Sequence, residues 1–303
     1  MIKKIKTIGK KLNRQLNLYI VSKNQQQIIE ASKSNKLIYL KPVSPRPYGG
    51  SIEHYFHFVF NLLLPLTILF RQIPTDVVFV FKKFGVFADR LTKLFPGRIR
   101  IEEESNIPSE AKQFKLIGMN PKGVYISPQR MENFKQDIRD SVGVTPANAH
   151  NILLIERVVA DKFFDEKAKV KGGGSARRSI LNHNDLKASL ESMIKEPYVL
   201  HNLQLEKISF KEQIDYFSQA KIVIAQHGAG LANCIWMNPE SIVIELSSEP
   251  HKNAFAILSR RKKHSYHLYK LASTHCDVDL NHFTNWLLAN PQFEDIFDRP
   301  SDN

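Results

Sequence analysis

Cysteine is scarce in this sequence. The two present, Cys234 and Cys276, stand in unlike surroundings with no Cys-x-x-Cys pair and no Cys/His spacing. A disulfide framework and a zinc site are therefore not indicated, and a reducing, cytoplasmic setting fits best. A long apolar run is also missing. The longest, Phe56 to Phe70, is broken by His57, Asn61, Pro65 and Thr67 and falls short of the roughly 20 residues a bilayer span needs. It reads as a buried helix. The opening residues show no continuous apolar segment with a small-residue cleavage site, so no secretory signal is read there. Three fingerprints are absent as well: a Walker-type Gly-Lys-Ser/Thr, a Gly-x-Gly-x-x-Gly and a Gly-x-Ser-x-Gly. Their absence argues against a P-loop NTPase, a standard dinucleotide fold and an α/β-hydrolase. Acidic residues are outnumbered, 30 Asp and Glu against 43 Lys and Arg, for a formal charge of +13. Such a surface attracts phosphorylated ligands, nucleic acid or anionic lipid, and charge alone does not choose among them.

What is present supports real cores: 43% hydrophobic residues and 10% aromatics over 303 residues, enough for two domains. From about residue 150 strands and helices alternate, from "NILLIE" through "NDLKASLESMI", "YVLHNLQ", "FKEQIDYFSQA", "IVIAQ" and "SIVIELS" to "DLNHFTNWLLA". That order predicts a doubly wound α/β domain. Ser209 with Glu212 three residues on predicts a capping box. The first half is mixed too, with a helix expected from Glu53 to Phe70, a strand at "DVVFVFK", a helix near "FADRLTKLF" and a strand at "RIRIEE". The fold class is therefore α/β: two Rossmann-like domains facing a cleft, 1–148 and 149–303, with the last helix able to pack back on the first domain. Residues 142–151 read as the linker, and the glycine-rich, basic stretch 165–179 as a mobile loop. At the start, six basic residues accompany Ile2, Ile5, Ile8, Leu12 and Leu16 at near-helical spacing. Residues 1–16 thus suit an anionic membrane surface, the alternative being a solvated first helix.

Candidate chemistry sits at strand ends. "IVIAQHGAGLANCIWM" passes from a buried strand through His227, Gly228, Ala229, Gly230 and Leu231 into a helical segment. Glycine lets a ligand approach the backbone, and the first amides of a helix are unpaired, so the turn can hold an anion. A tight turn whose glycines only permit close packing is the other reading. Arg157 follows one strand and Glu245 lies near the end of another. Guanidinium and amides would meet a diphosphate and the carboxylate would accept from ribose hydroxyls, a combination that fits a nucleotide. Taken singly, Arg157 or Arg178 is a solvated surface arginine. In the first half Glu53, His54 and His57 open the expected helix, Glu53 and His57 sharing a face four residues apart. His57 could take a proton from an acceptor hydroxyl or be an ordinary hydrogen-bonded core histidine. "DVD" at 277–279 precedes the last helix and reads as its cap, not as a metal site.

Three ordered segments carry a family resemblance. "QHGAGLANCIWMNPESIVIEL" resembles the signature of glycosyltransferase family 61, "HYFHFVFNLLLPL" resembles its aromatic-His-aromatic helix, and "LLIERVVADKFF" with "ARRSILNHNDL" resembles its strand, arginine and basic loop. Together they run from about Gly49 to Leu246. Two positions depart from that pattern: Asn61 stands where an aspartate is usual, and Glu156 replaces a common serine. The resemblance implies an inverting, metal-independent hexosyl- or pentosyltransferase of the GT-B type. It would move sugar from a nucleotide-sugar donor, a UDP-sugar, to a glycan or lipid-linked glycan in surface or capsular polysaccharide synthesis, at the inner face of the cytoplasmic membrane. It needs no cofactor, no metal ion and no specific nucleic acid. His57, with Glu53 and Asn61 beside it, becomes the base. Arg157, Arg178, Asn182 and the turn His227 to Leu231 become the diphosphate site, and Glu245 the ribose contact. A noncatalytic nucleotide- or nucleic-acid-binding module and an inactive glycan-binding relative are the rival readings.

Overall fold

The computed structural model describes residues 2–43, 51–121, 123–145, 148–159, 174–248 and 254–299. The stretch expected to form a mobile loop, 165–179, lies outside these residues except for 174–179. Two compact units are formed, one reaching Gly143 and the other beginning at Val144.

The N-terminal unit opens with a 31-residue helix, α1 (Ile2–Ser32), longer than the basic repeat at its start suggested. Strand β1 (Leu37–Val43) follows, then α2 (Tyr55–His57), a π-helical turn at Phe58–Leu63 and α3 (Leu64–Phe70). The remaining elements are β2 (Val78–Lys82), α4 (Phe87–Leu94), β3 (Ile99–Glu102), β4 (Lys112–Ile117) and α5 (Pro128–Val142). Helix α5 starts at the Ser127 cap and stops at Gly143, whose φ of 66° puts it in the left-handed region that glycine tolerates. All strand pairs are parallel, in the order β3-β2-β1-β4. The strand order reverses between β1 and β4, the kind of switch point at which open parallel sheets bind ligands.

The helix expected over 53–70 begins only at Tyr55 and changes register inside. Pro65 has no N–H to return to the preceding turn. Leu64 N–H reaches back five residues to the Val59 carbonyl, and the Phe60 carbonyl accepts instead from Met119 N–H at 2.7 Å. The widened turn is thereby tied to the loop leaving β4.

The C-terminal unit contains β5 (Asn151–Ile155), a short β6 (Ser179–Ile180), α6 (His183–Glu191), β7 (Val199–Leu203), α7 (Phe210–Ser218) and β8 (Ala220–Gln226). After a 3-10 segment at Ala229–Trp236 come β9 (Ile242–Ser247), α8 (Ala254–Arg261), β10 (Ser265–Lys270), β11 (His275–Cys276) and α9 (Leu280–Leu288). The main sheet is wholly parallel, ordered β10-β9-β8-β5-β7, and β6 pairs with β11 beside it. Its central strands are buried on both faces, which is why they read as unbroken Ile, Leu and Val. The capping box at Ser209 and Glu212 forms, and Asp279 caps α9 by accepting from His282 N–H at 3.0 Å. Helix α9 sends Phe283 and Leu287 into the same core as Leu186 and Leu190 of α6. The last helix is thus part of this core. The chain order reverses between β5 and β8, so this sheet too has a switch point.

Candidate functional site

At the C-terminal switch point the chain leaves β5 into Arg157 and leaves β8 into His227. The Arg157 guanidinium is held by backbone carbonyls: Nε donates to Gly174 O at 3.2 Å and Arg178 O at 3.1 Å, Nη2 to Gly174 O at 2.9 Å, and Nη1 to His227 O at 3.4 Å. Carbonyls orient the group without neutralising it. Burial first and then the charge of Arg178 pull its pKa down to about 10, opposed by Glu206 and helped to a lesser extent by Arg177. Arg157 therefore stays cationic at neutral pH, with Arg178 and Arg177 adding to the positive field around it.

Gly228 has a direct reason to be glycine. A Cβ there would lie 1.9 Å from Arg157 Nη1, so the bare backbone makes room for the guanidinium. At Gly230 a Cβ would meet the Leu205 Cδ1 methyl at 2.8 Å, the movable end of a side chain. Both glycines were expected to admit a phosphate to the backbone. At Gly228 the bare backbone admits the arginine that such a phosphate would contact. The turn that follows is 3-10, not α, with Leu231 N–H donating to Gly228 O at 3.1 Å. The amides of Ala229 and Gly230 precede that first bond. Leu231 itself is a core side chain.

His227 is fixed by the next strand. Its Nδ1 lies 2.5 Å from Oε1 of Glu245, whose Oε2 accepts from the Tyr266 hydroxyl at 2.8 Å, and Phe255 packs edge-on against the ring. Any ligand contact of this ring therefore falls to Nε2. Glu245, expected to meet ribose hydroxyls, is fully buried with both oxygens engaged, and its carboxylate orients His227. The Asn182 amide exchanges two hydrogen bonds with the backbone of Val278, at 2.9 and 2.8 Å, which ties the end of β6 to the approach to α9. Arg178 offers its carbonyl to Arg157 and its half-buried side chain to the local positive field.

In the N-terminal unit Asn61 Nδ2 lies 2.8 Å from Nδ1 of His57. Because an amide nitrogen only donates, His57 presents Nε2–H in this arrangement. Burial chiefly, with a contribution from His54, lowers the His57 pKa to about 4, so the ring is neutral. Asn61 is fully buried against Gly118, where any Cβ would come within 2.6 Å of its backbone and amide oxygen. Gly118 follows β4 and its N–H bonds the last carbonyl of β1, so the His57–Asn61 pair stands at the switch point of its own sheet. Glu53 does not share a helix face with His57, since the helix starts after it. Its carboxylate accepts from Gly85 N–H at 3.3 Å.

Sequence reasoning missed three supporting groups. Tyr266 and Gly118 become visible only through strand register and close approach. Glu156 is held by the amides of Asn202 and Gln204, at 3.1 and 2.7 Å. A signal for the first existed: a glutamate inside "IVIELS" must have partners, because a carboxylate is costly to bury alone. Among the described residues there is no cluster of three His, Cys, Asp or Glu able to hold a metal ion.

With this geometry in hand, a family model described as Glycosyltransferase 61 matches residues 55–244, more than half of the chain and both switch points. Among curated proteins, Beta-1,2-xylosyltransferase RCN11 of Oryza sativa subsp. japonica is 25% identical over 155 residues, 49% of this chain and 28% of its own. Beta-1,2-xylosyltransferase of Arabidopsis thaliana is 25% identical over 140 residues, 43% of this chain and 25% of its own. The chain thus spans about a quarter of the length of the curated relatives it matches.

Proposed function

Because the chain belongs to the glycosyltransferase 61 family, we propose that it moves a sugar from a nucleotide-sugar donor to a hydroxyl of a glycan or lipid-linked oligosaccharide. The observation that carries this is the Arg157 guanidinium, clamped by carbonyls against the glycine turn at a switch point and still cationic. In the proposal the C-terminal unit is the donor side and the N-terminal unit the acceptor side of a GT-B enzyme. A UDP-sugar is the donor; the xylosyltransferase names of the two relatives put a pentose first. The basic surface and scarce cysteine support a cytoplasmic setting in surface polysaccharide synthesis.

The reaction is a single displacement with inversion. The acceptor oxygen bonds to the anomeric carbon as the bond to the diphosphate breaks, and the hydroxyl proton leaves to His57. Nε2 of His227, left as the accepting nitrogen by the Nδ1–H bond to Glu245, takes a hydrogen bond from a donor hydroxyl, while Arg157 and the amides of Ala229 and Gly230 stabilise the charge gathering on the leaving group. These fixed positive groups supply what a metal ion would otherwise supply. His57 can accept at Nε2 once the Asn61 amide turns over, so that its oxygen takes the Nδ1 proton. A base with pKa near 4 suits a late transfer, when the bonded acceptor oxygen has become strongly acidic.

The test is thermal shift and UDP release across UDP-xylose, UDP-hexoses and free UDP, with and without chelator. A UDP-sugar should raise the melting temperature and release UDP equally in both. Arg157→Ala should lower turnover on the order of 100-fold or more while melting stays cooperative. The inactive, glycan-binding reading is favoured by Asn61 at an aspartate position, and donor stabilisation without UDP release would establish it. Salt-sensitive binding of random DNA with no UDP shift would instead establish the nucleic-acid module.

A further inference from the structure

Helix α1 has two faces with different fates. Val21 and Ile28, with Gln25 and Ser32, are buried, and α1 lies against β4. On the same side Asn17 donates to Gly123 O at 2.7 Å, Asn24 Oδ1 accepts from Ile117 N–H at 3.4 Å, and Arg14 O accepts from Tyr125 N–H at 3.4 Å. Leu12, Leu16, Tyr19 and Ile20 are 60%, 56%, 63% and 45% exposed. Leu12 and Val21 are nine residues apart, about two and a half helical turns, so the exposed stripe runs along the side opposite the docked one. Single exposed apolar residues need no explanation, but a stripe at i, i+4, i+7 and i+8 does.

We propose that this stripe is the seat of the protein on an anionic lipid surface. Between Ile2 and Ile29 the sequence has seven basic residues and no acidic one, the pattern of a helix that lies in the interface plane beneath acidic headgroups. Exposed Lys23 continues the stripe one turn past Tyr19 and Ile20, where its stem covers apolar surface while its ammonium meets a headgroup. A second copy of the chain is a poorer occupant, because pairing two such helices would set seven positive charges against seven more. Nucleic acid would engage the lysines but has no use for leucine and isoleucine. The side chains of residues 1–8 and 10 lie outside the described ones, so the inference stands on residues 11–23, which overlap the C-terminal end of the 1–16 segment singled out from sequence and run past it.

The test is co-sedimentation of the full chain with phosphatidylglycerol/phosphatidylcholine vesicles and with phosphatidylcholine alone, beside the Leu12→Ser, Leu16→Ser, Tyr19→Ser triple variant. All three positions are exposed and away from the docked face, so the variant should melt as the parent does. The parent should partition to anionic vesicles about tenfold or more above both the neutral vesicles and the triple variant. Equal recovery of parent and variant would overturn the proposal. So would a lipid-free dimer that the triple substitution dissolves, which would make the stripe a self-interface, and so would RNA binding that the substitution weakens in the absence of any vesicle effect.

Discussion

The two switch points hold two histidines that differ in what grips Nδ1. His57 is gripped by an amide one helical turn along its own chain, and His227 by a carboxylate from the neighbouring strand that Tyr266 secures in turn. An ionised carboxylate only accepts, so it locks the ring in one orientation, with Nδ1 inward. An amide donates or accepts according to which end it presents, so His57 keeps access to both tautomers. A locked ring suits a contact with a donor that must sit still. A ring that can exchange its proton suits the group that takes one up. Sequence alone shows two histidines near aromatic or glycine residues; the partner atoms divide their work.

The largest effect should come from breaking the link between His227 and Arg157. In Gly228→Ala the new methyl group would stand where Nη1 now lies, so the guanidinium must leave its carbonyls. Turnover should fall on the order of 100-fold, as for loss of a charge-stabilising donor. Because both changes remove the same interaction, adding Gly228→Ala to Arg157→Lys should cost little further, far from additive. Kinetics of the two single variants and the double variant decide this. Additive losses would mean that Gly228 meets the donor itself and that Arg157 is not what its bareness accommodates.

A smaller effect is expected from Glu245→Gln, which keeps the shape but makes the C-terminal grip an amide like the N-terminal one. His227 should lose its single tautomer, visible in the nitrogen shifts of the ring, and the donor KM should rise about tenfold, a charge-assisted hydrogen bond having become a neutral one. Glu245→Ala should cost in addition about 1–3 kcal/mol of stability, because His227 Nδ1 and the Tyr266 hydroxyl lose a buried acceptor. An unchanged tautomer and KM in Glu245→Gln would remove the positioning role. The comparison would then rest on geometry without consequence.

Much of the C-terminal unit was legible because its signals are local. Unbroken apolar strands, a capping box and alternating periods act within a dozen residues, and β5, β7, β8 and β9 lie where they were expected. The N-terminal unit was less legible. Strand β4 is "KQFKLI", with charge at two of six places, and β1 carries a proline next to its end, so neither reads as a central strand. The candidate site was legible as a set of residues but not as a set of roles. Arg157 and His227 do meet. The engagement of Glu245 with Tyr266 and of Asn182 with the backbone of Val278 was hidden, since a long-range partner leaves no trace in spacing. The register change at Pro65 was hidden likewise, because its compensation comes from Met119, far along the chain.

The finest test converts the N-terminal grip into the C-terminal kind. Asn61→Asp would place a carboxylate on His57 Nδ1, fix Nε2 as the accepting nitrogen and raise the ring pKa from about 4. The ascending limb of the kcat profile should then move to higher pH by about one unit or more. Stability reports the same group independently. The folded pKa of His57, about 4, lies below the ordinary histidine value of 6.5, so protonation favours the unfolded chain. Its neutral ring costs nothing above pH 6.5; stability is lost as pH falls from 6.5 toward 4 and the loss levels off below that. Relative to His57→Gln, the parent should therefore destabilise across that window in denaturant titrations, and Asn61→Asp should narrow it from the acid side. A parent and a His57→Gln variant with parallel stability across pH 4 to 6.5 would show that burial does not hold His57 neutral. The amide grip would then have no bearing on its proton.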